Sequence, residues 1–178
     1  MKKISVSLIA AALGLASVAA QAAPSSNGGI LTINGELTSN TCDVSGNGQG
    51  NNFTVTLPTL SASALSAAGA TGFNIALTNC TPDTGNVHTF WEYGANTLAD
   101  GSLKNNGTAT KVSVQLLDYN GTEQLLDLSK ADGAQGSQNV AISGGKASLQ
   151  YAARYFSSAG GAGAGTVATN VTYSIVYQ

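Results

Sequence analysis

The final segment of the chain alternates between apolar and polar side chains. In the sequence NVTYSIVYQ, the apolar positions Val171, Tyr173, Ile175 and Tyr177 recur at every second residue. This period of two predicts a β-strand with one buried face. Because the end of a chain usually frays unless neighbouring segments hold it, we expect an apolar strand here to need a covering segment from elsewhere.

A second alternating segment lies near the beginning of the chain. Apolar residues or glycines occupy the odd positions from 29 to 37, and polar residues occupy most of the even positions. The pattern predicts another strand with one apolar face. The odd positions are Gly29, Leu31, Ile33, Gly35 and Leu37. Both ends of the chain therefore carry a strand with one face to bury.

Between these segments, strand-like runs alternate with turns rich in glycine and asparagine, such as SGNGQGNN and NNG. One short helix is predicted over residues 60–69, where Leu60, Ala64 and Leu65 share a helical face. Regularly spaced short strands are typical of an all-β sandwich. The predicted strands cover residues 30–42, 53–57, 73–80, 87–93, 111–117, 138–142, 147–156 and 166–177.

Residues 1–22 have the pattern of a secretory signal peptide. Two lysines follow the first methionine, residues 4–20 are mostly apolar, and Ala-Gln-Ala ends the segment as a cleavage site between small residues. A membrane anchor is disfavoured because the run is rich in alanine and serine and no stop-transfer pattern follows it. We therefore expect an exported protein whose mature chain begins at Ala23.

The mature chain is acidic and poor in charge. Without Lys2 and Lys3 it keeps five basic and nine acidic residues, a net charge of −4. This balance argues against nucleic acid as a partner. The remaining 156 residues are enough for one domain with a full core.

Two cysteines, Cys42 and Cys80, occur in this exported chain. Because exported proteins fold in an oxidising compartment, we expect the two to form a disulfide. The sequence has one histidine, His88, and no CxxC motif, so it lacks the ligand set of a zinc site. No metal and no cofactor are expected.

No set of catalytic residues stands out. His88 is isolated, and Glu92 has no partner carboxylate at a recognisable spacing. Three aromatic residues could stack on a sugar. However, alternation along a strand places Phe90 on one side and Trp91 and Tyr93 on the other, so one side packs into the core. We therefore expect a protein that is not an enzyme.

Six short stretches of the mature chain occur in a characteristic order. They are NGGILTINGEL, NTCDV around Cys42, GFNIALTNC leading to Cys80, VSVQLLDYNG, YAARYF and VTYSIVYQ. They are spread along nearly the whole mature chain, from Asn27 to Gln178, and with this order and placement the chain resembles the structural pilin subunits of the chaperone–usher (type 1 fimbrial) family.

The resemblance implies an incomplete immunoglobulin-like sandwich that lacks its last strand and so leaves a hydrophobic groove beside the C-terminal strand. A periplasmic chaperone would fill the groove first, and the N-terminal extension of another subunit would then replace it. The implied domains are a signal peptide, residues 1–22, a donor-strand extension, residues 23–37, and a pilin domain, residues 38–178.

The same resemblance assigns roles to individual residues. The donor strand would present Gly29, Leu31, Ile33, Gly35 and Leu37. The acceptor groove and chaperone-binding strand would contain Val171, Tyr173, Ile175, Tyr177 and Gln178, with the terminal carboxylate of Gln178 held by basic residues of the chaperone.

The implied function is that of a structural subunit of an extracellular pilus that supports cell adhesion. The implied partners are other pilin subunits, the periplasmic chaperone and an outer-membrane usher, and the route is export through the periplasm to the cell surface. Two alternatives remain at this point. One is a minor adaptor or adhesin subunit of the same pilus, and the other is a secreted carbohydrate-binding module.

Overall fold

Two antiparallel sheets pack face to face in the part of the chain that the computed structural model describes, which is residues 31–34, 41–67 and 69–178. The strands and one 3-10 helix (Ala62–Ala67) belong to a unit of residues 38–178. Residues 31–34 belong to a separate unit and lie in no strand. The strands are β1 (Thr41–Gly46), β2 (Thr71–Thr81), β3 (Gly85–Trp91), β4 (Leu103–Lys104), β5 (Ser113–Asp118), β6 (Gln124–Leu125), β7 (Val140–Ile142), β8 (Ala147–Phe156) and β9 (Tyr173–Tyr177).

The order of the strands places β9 at an edge. The larger sheet has the order β1-β2-β8-β5-β4, with β6 paired to β5, and the smaller sheet has the order β7-β3-β9. Every pair is antiparallel. Among the described strands, β9 therefore pairs with β3 on one side and with none on the other. The prediction of an all-β sandwich is confirmed.

The core lies between the sheets and follows the period of two. In β2 the alternate side chains of Phe73, Ile75 and Leu77 are buried, whereas those between them are partly exposed. Leu149 and Tyr151 of β8 are buried opposite Ile75 and Phe73. Burial of one such side chain contributes roughly 1.5–3 kcal/mol, so β2 and β8 contribute much of the stability of the domain.

A disulfide joins the edge strand β1 to β2. It links Cys42 near the start of β1 to Cys80 near the end of β2, across a sequence separation of 38 residues. The predicted bridge is confirmed. Closing a loop of this size stabilises a fold by roughly 3–4 kcal/mol if the effect comes from the entropy of the unfolded chain.

Most predicted strands are confirmed, with shifted ends. The strand predicted at 147–156 coincides with β8, and those predicted around residues 73–80, 87–93, 111–117 and 138–142 overlap β2, β3, β5 and β7. The sequence did not predict β4 and β6, because a strand of two residues is too short to show a period.

The strand predicted at residues 53–57 is wrong, and the one predicted at 166–177 is confirmed only over β9, Tyr173–Tyr177, since residues 166–172 lie in no strand. Neither segment belongs to a strand, although half-buried and exposed residues alternate along 53–57. Alternation reports which side chains are half-buried, but a strand also needs a regular ladder of backbone hydrogen bonds. Residues 166–168 bond to residues 105–109 irregularly, partly through side chains, so they form no ladder. The short helix predicted over residues 60–69 is present as a 3-10 helix, Ala62–Ala67.

The first predicted strand, residues 30–42, is only partly tested. Its last two residues fall in β1, and residues 31–34 are in no strand. Gly29, Gly35 and Leu37 lie outside the described residues, as does the predicted signal peptide. No helix in the described ranges is both long and apolar enough to cross a bilayer.

Candidate functional site

An open groove of about 1000 Å³ runs along β9 and the segment of residues 166–172 that leads into it. Both sheets contribute apolar side chains to its lining. Examples are Val44 of β1, Phe73 of β2, Trp91 of β3, Leu116 of β5 and Tyr155 of β8. The groove therefore reaches the hydrophobic core of the sandwich, where water would normally be excluded.

The edge of β9 that faces away from β3 has no ladder partner among the described residues. Asn86 and Gln178 exchange two backbone hydrogen bonds, with N···O distances of 3.1 and 2.8 Å. In an antiparallel pair, such doubly bonded residues alternate with residues whose N–H and C=O groups point to the other side. In β9 the residues that turn their backbone groups away from β3 are Tyr173, Ile175 and Tyr177.

The side chains of these three residues line the groove as well. One stretch of chain thus offers an apolar surface and unpaired backbone groups in the same place. Exposed edges of this kind readily pair with another strand.

Residues 51–58, which we call the groove wall, flank the groove opposite β9. Phe53, Val55 and Leu57 of the wall line the groove and are half-buried. The wall is not part of a sheet. Its backbone is held at Thr54, whose N–H and C=O bond to the side-chain amide of Gln49 at 3.3 and 3.2 Å.

A second contact holds the far end of the groove wall. The hydroxyl of Tyr155 in β8 donates to the carbonyl of Pro58 at 3.2 Å. Within the described residues, no backbone hydrogen bond is made by Val55, Thr56 or Leu57. The wall therefore packs through its side chains and keeps most of its backbone groups free.

Aromatic rings form the floor of the groove near the start of β9. The ring of Tyr173 lies 5.9 Å from that of Trp91 and 5.8 Å from that of Phe53, measured between centroids. Phe73 and Tyr151 continue the cluster into the core. Burial raises the pKa of the Tyr173 hydroxyl above its ordinary value.

The structure brings together four of the predicted acceptor residues, Val171, Tyr173, Ile175 and Tyr177, along one side of the groove. The fifth, Gln178, extends the pairing with β3, and its side-chain oxygen accepts a hydrogen bond from Asn139 at 2.8 Å. That these residues accept a partner strand stays a prediction.

Of the predicted donor residues, only Leu31 and Ile33 lie within the described ranges. Both side chains are 82% exposed. Their role as donor residues stays a prediction, as does that of the three donor residues outside these ranges.

Sequence reasoning missed the groove wall. The alternation over residues 53–57 was a usable signal of its half-buried side chains. The sequence held no signal that this segment would face β9, because the contact between Asn51 and Tyr173 spans 122 positions of the chain.

The sequence also singled out His88 and the aromatic residues Trp91 and Tyr93 as candidates for a site. The ring of His88 is buried, and its Nε2 lies 2.8 Å from Asp132 Oδ1. The expectation that Trp91 and Tyr93 share one environment is wrong, since Trp91 is buried and Tyr93 is 68% exposed. Tyr93 lies two residues beyond Trp91, the last residue of β3, so the alternation of the strand no longer applies to it.

The part of the chain that the structure describes contains no group of three or more histidine, cysteine, aspartate or glutamate residues placed to hold a metal ion.

Comparison with known proteins matches this chain to fimbrial proteins over most of its length. The family model described as FimA, type-1 fimbrial protein A, matches residues 57–178. The chain is 37% identical to the F17 fimbrial protein of Escherichia coli over 177 residues, which cover 93% of this chain and 96% of that protein. It is 40% identical to the major fimbrial subunit SMF-1 of Stenotrophomonas maltophilia strain K279a over 179 residues, which cover 93% and 99%.

Solved structures share the fold. A chaperone–usher pilus, studied for the uncoiling of its rod, has a subunit that aligns with a TM-score of 0.55 at 20% identity, over 86% of this chain and 97% of that one. The P pilus rod subunit PapA aligns with a TM-score of 0.55 at 19% identity, over 77% and 99%. These structures identify the sandwich as the immunoglobulin-like fold of pilus subunits.

Proposed function

The chain belongs to the type-1 fimbrial protein family, and we propose that it assembles by donating a strand to the groove of a neighbouring subunit and accepting one in its own. It is a structural subunit of a pilus, so it forms part of an extracellular fimbrium and polymerises with other pilin subunits. In the proposed plan, residues 1–22 are a signal peptide, residues 23–37 donate the strand, and residues 38–178 form the domain that accepts it.

The observation that carries this proposal is the unpaired edge of β9 beside an apolar groove. A groove lined by half-buried apolar side chains such as Phe53, Val171 and Ile175 would leave apolar surface in water if it stayed empty. A strand inserted beside β9 would cover this surface and pair with the free backbone groups of Tyr173, Ile175 and Tyr177. The free backbone groups of the groove wall offer the same strand a second ladder.

The donor segment has the matching chemistry. Leu31 and Ile33 are two residues apart, so in a strand they point to the same side, and both are exposed. Burial in a neighbour's groove would contribute roughly 1.5–3 kcal/mol for each of these side chains, before the ladder hydrogen bonds are counted. Because the donating and accepting surfaces differ, the contact repeats from subunit to subunit and builds a filament.

Before assembly, the groove needs a temporary occupant. We infer that a periplasmic chaperone supplies it during export and that an outer-membrane usher hands the subunit to the growing fibre. The terminal carboxylate of Gln178, at the end of β9, is the group that basic residues of the chaperone would hold. In this role the chain needs neither a catalytic residue nor a cofactor.

The substitution Ile33→Asp tests the proposal. A carboxylate on the buried face of the donor strand would lose its hydration without gaining a partner, which costs several kcal/mol. The variant should accumulate with the chaperone at the normal level but form no fibres, as counted by electron microscopy of the cell surface.

The matched control is Thr32→Asp, which adds the same charge to the opposite face of the segment. It should leave fibre number close to that of the parent. Fibres of normal number and length in the Ile33→Asp strain would show that this segment does not act as the donor.

A further inference from the structure

The middle of the groove wall is held by one side chain, that of Gln49. The amide nitrogen of Gln49 donates to the carbonyl of Thr54, and the amide oxygen accepts from the N–H of the same residue. One side-chain amide thus bonds both backbone groups of a residue, as a neighbouring strand would. Gln49 itself does not line the groove. It therefore holds the edge of the wall that faces away from the groove.

This contact determines which backbone groups of the wall face the groove. The exposure of side chains alternates along the wall, which is typical of an extended segment. In such a segment the N–H and C=O of one residue point to one edge, and those of the next residue point to the other. Thr54 points to Gln49, so its two neighbours point to the groove. The residues with backbone groups on the groove side are Phe53, Val55 and Leu57, and none of them bonds another described residue through its backbone.

The other described polar contacts of the wall backbone lie at its two ends. The hydroxyl of Tyr173 donates to the carbonyl of Asn51 at 2.7 Å, and that of Tyr155 donates to the carbonyl of Pro58 at 3.2 Å. Each of these contacts engages a carbonyl alone. Within the described residues, Gln49 is therefore the side chain that fixes the orientation of the wall between its ends.

The loop that carries Gln49 is closed by its own backbone. The N–H of Gly46 donates to the carbonyl of Gly50 at 2.7 Å, and the N–H of Gln49 donates to the carbonyl of Gly46 at 2.8 Å. Gly48 and Gly50 have φ values of 74° and 98°, which glycine adopts without strain. The loop therefore holds the backbone of Gln49 in place whether or not a strand occupies the groove.

A second glutamine makes the same contact on β3. The side-chain oxygen of Gln135 accepts from the N–H of Trp91 at 2.9 Å, and its nitrogen donates to the carbonyl of Trp91 at 2.6 Å. This contact lies on the edge of β3 that faces away from β9, beyond Val87, where the pairing with β7 ends. The two glutamines thus bond the outer edges of the groove wall and of β3, and the groove and β9 lie between them.

We propose that Gln49 is a positioning residue for the donor strand. By holding Thr54, it orients the backbone groups of Phe53, Val55 and Leu57 toward a strand in the groove, which then has one ladder with β9 and a second with the wall. The inference rests on the proposed donor-strand function. It concerns how firmly a strand is held once it is in place, and not how fast the strand enters.

The test begins with hydrogen exchange along the wall. The full mature chain carries Ile33→Asp, so that its own extension does not compete, and it is refolded together with a peptide of residues 23–40 that has the natural sequence. Nuclear magnetic resonance should show slow exchange at the amides of Phe53, Val55 and Leu57, and fast exchange at that of Thr56.

The substitution Gln49→Met keeps a side chain of similar length but removes both hydrogen bonds to Thr54. It should speed amide exchange at Phe53 and Val55, the two neighbours of Thr54. A fluorescent donor peptide, displaced by an excess of unlabelled peptide and followed by fluorescence anisotropy, should dissociate about two- to tenfold faster, the factor that one neutral hydrogen bond provides.

The matched control is Gln150→Met, which replaces an exposed glutamine of β8. Its amide bonds the hydroxyl of Ser148 at 2.7 Å, and it does not line the groove. This variant should leave the exchange along the wall and the dissociation rate unchanged. Thermal unfolding of each complex verifies that the variants are folded.

Two results would overturn the role of Gln49. One is a Gln49→Met complex with the exchange pattern and dissociation rate of the parent, and the other is an equal effect of Gln150→Met. Protection of Thr56 in place of Val55 would show that the wall presents its other edge, which also contradicts the proposal.

The amides of β9 separate this inference from the function on which it rests. If the peptide protects Tyr173, Ile175 and Tyr177 but no residue of the wall, the role of Gln49 fails and the donor-strand function stands. If the peptide protects neither β9 nor the wall, the donor-strand function itself fails.

Discussion

Strands β8 and β9 carry the same kind of sequence but have opposite surroundings. β8 pairs with β2 on one side and β5 on the other, and its side chains Leu149 and Tyr151 are buried. Among the strands that the structure describes, β9 pairs with β3 alone, and all five of its residues are only partly buried. Alternation of apolar residues therefore indicates that one face of a strand is to be buried. It does not indicate which molecule covers that face. In β8 the same chain supplies the cover, and in β9 we propose that a neighbour supplies it.

Amide hydrogen exchange should show the largest difference between the two strands. Amides of β8 should exchange only on global unfolding, which for a domain costs about 5 kcal/mol or more. Along β9, the amides of Ser174 and Val176 should be protected by β3, whereas those of Tyr173, Ile175 and Tyr177 should exchange quickly.

The pattern of amide exchange along β9 should change when a donor peptide is added, because all five amides then have hydrogen-bond partners. Nuclear magnetic resonance measures the rates residue by residue. Equal protection of all β9 amides in the monomer would contradict an unpaired edge.

Truncation of side chains should give the next largest difference. Leu149→Ala in β8 should destabilise the monomer by about 2–5 kcal/mol, because the cavity lies in a core that cannot collapse. Ile175→Ala in β9 should cost less than about 1.5 kcal/mol in the monomer, since the side chain is already half in water. Urea unfolding measures both values.

The difference between the costs of Leu149→Ala and Ile175→Ala should become smaller in the polymer. Ile175→Ala removes a contact that we propose a donor strand makes, so its cost should grow when unfolding is followed in assembled fibres. A cost of Ile175→Ala that is the same in monomer and fibre would argue against this role.

The smallest expected difference concerns alkaline pH. Burial raises the pKa of Tyr151 above its ordinary value of 10.0. The folded state therefore favours the protonated hydroxyl. This contribution to stability is complete below pH 10 and is lost as the pH rises through the raised pKa. In Tyr151→Phe the free energy of unfolding should decline less between pH 10 and pH 12 than in the parent.

Tyr173 at the groove serves as the comparison, because burial raises its pKa as well but its side chain is less buried. Tyr173→Phe should change the decline in the free energy of unfolding between pH 10 and pH 12 less than Tyr151→Phe does. Unfolding free energies from urea titrations at several pH values check this order, and the reverse order would contradict it.

The sequence predicted the paired part of the fold well. The apolar period of β8 gave the correct bounds, and the two cysteines of an exported chain gave the correct bridge. The period of β8 is visible in neighbouring residues. The oxidising compartment, and with it the disulfide, follows from the predicted signal peptide.

The unpaired part of the fold was harder to predict. Residues 53–57 and 166–172 have the alternation of strands but no ladder, because pairing depends on partners that a local pattern does not contain. Val171, Tyr173, Ile175 and Tyr177 were predicted to line a groove from a family resemblance. The hydrogen bond from the hydroxyl of Tyr173 to the carbonyl of Asn51 could not be foreseen, because it joins two residues 122 positions apart.

The disulfide between Cys42 and Cys80 also determines how a subunit transmits tension. In the proposed fibre, a pull on the N-terminal extension enters the domain along the backbone and reaches Cys42. From there the covalent path divides, and the shorter branch crosses the sulfur bridge to Cys80. The residues between the two cysteines, which include the groove wall, therefore lie off this covalent path. In a stretched fibre the pull on the extension would pass through sulfur to β2, and the groove wall would be loaded only by the strand that it holds.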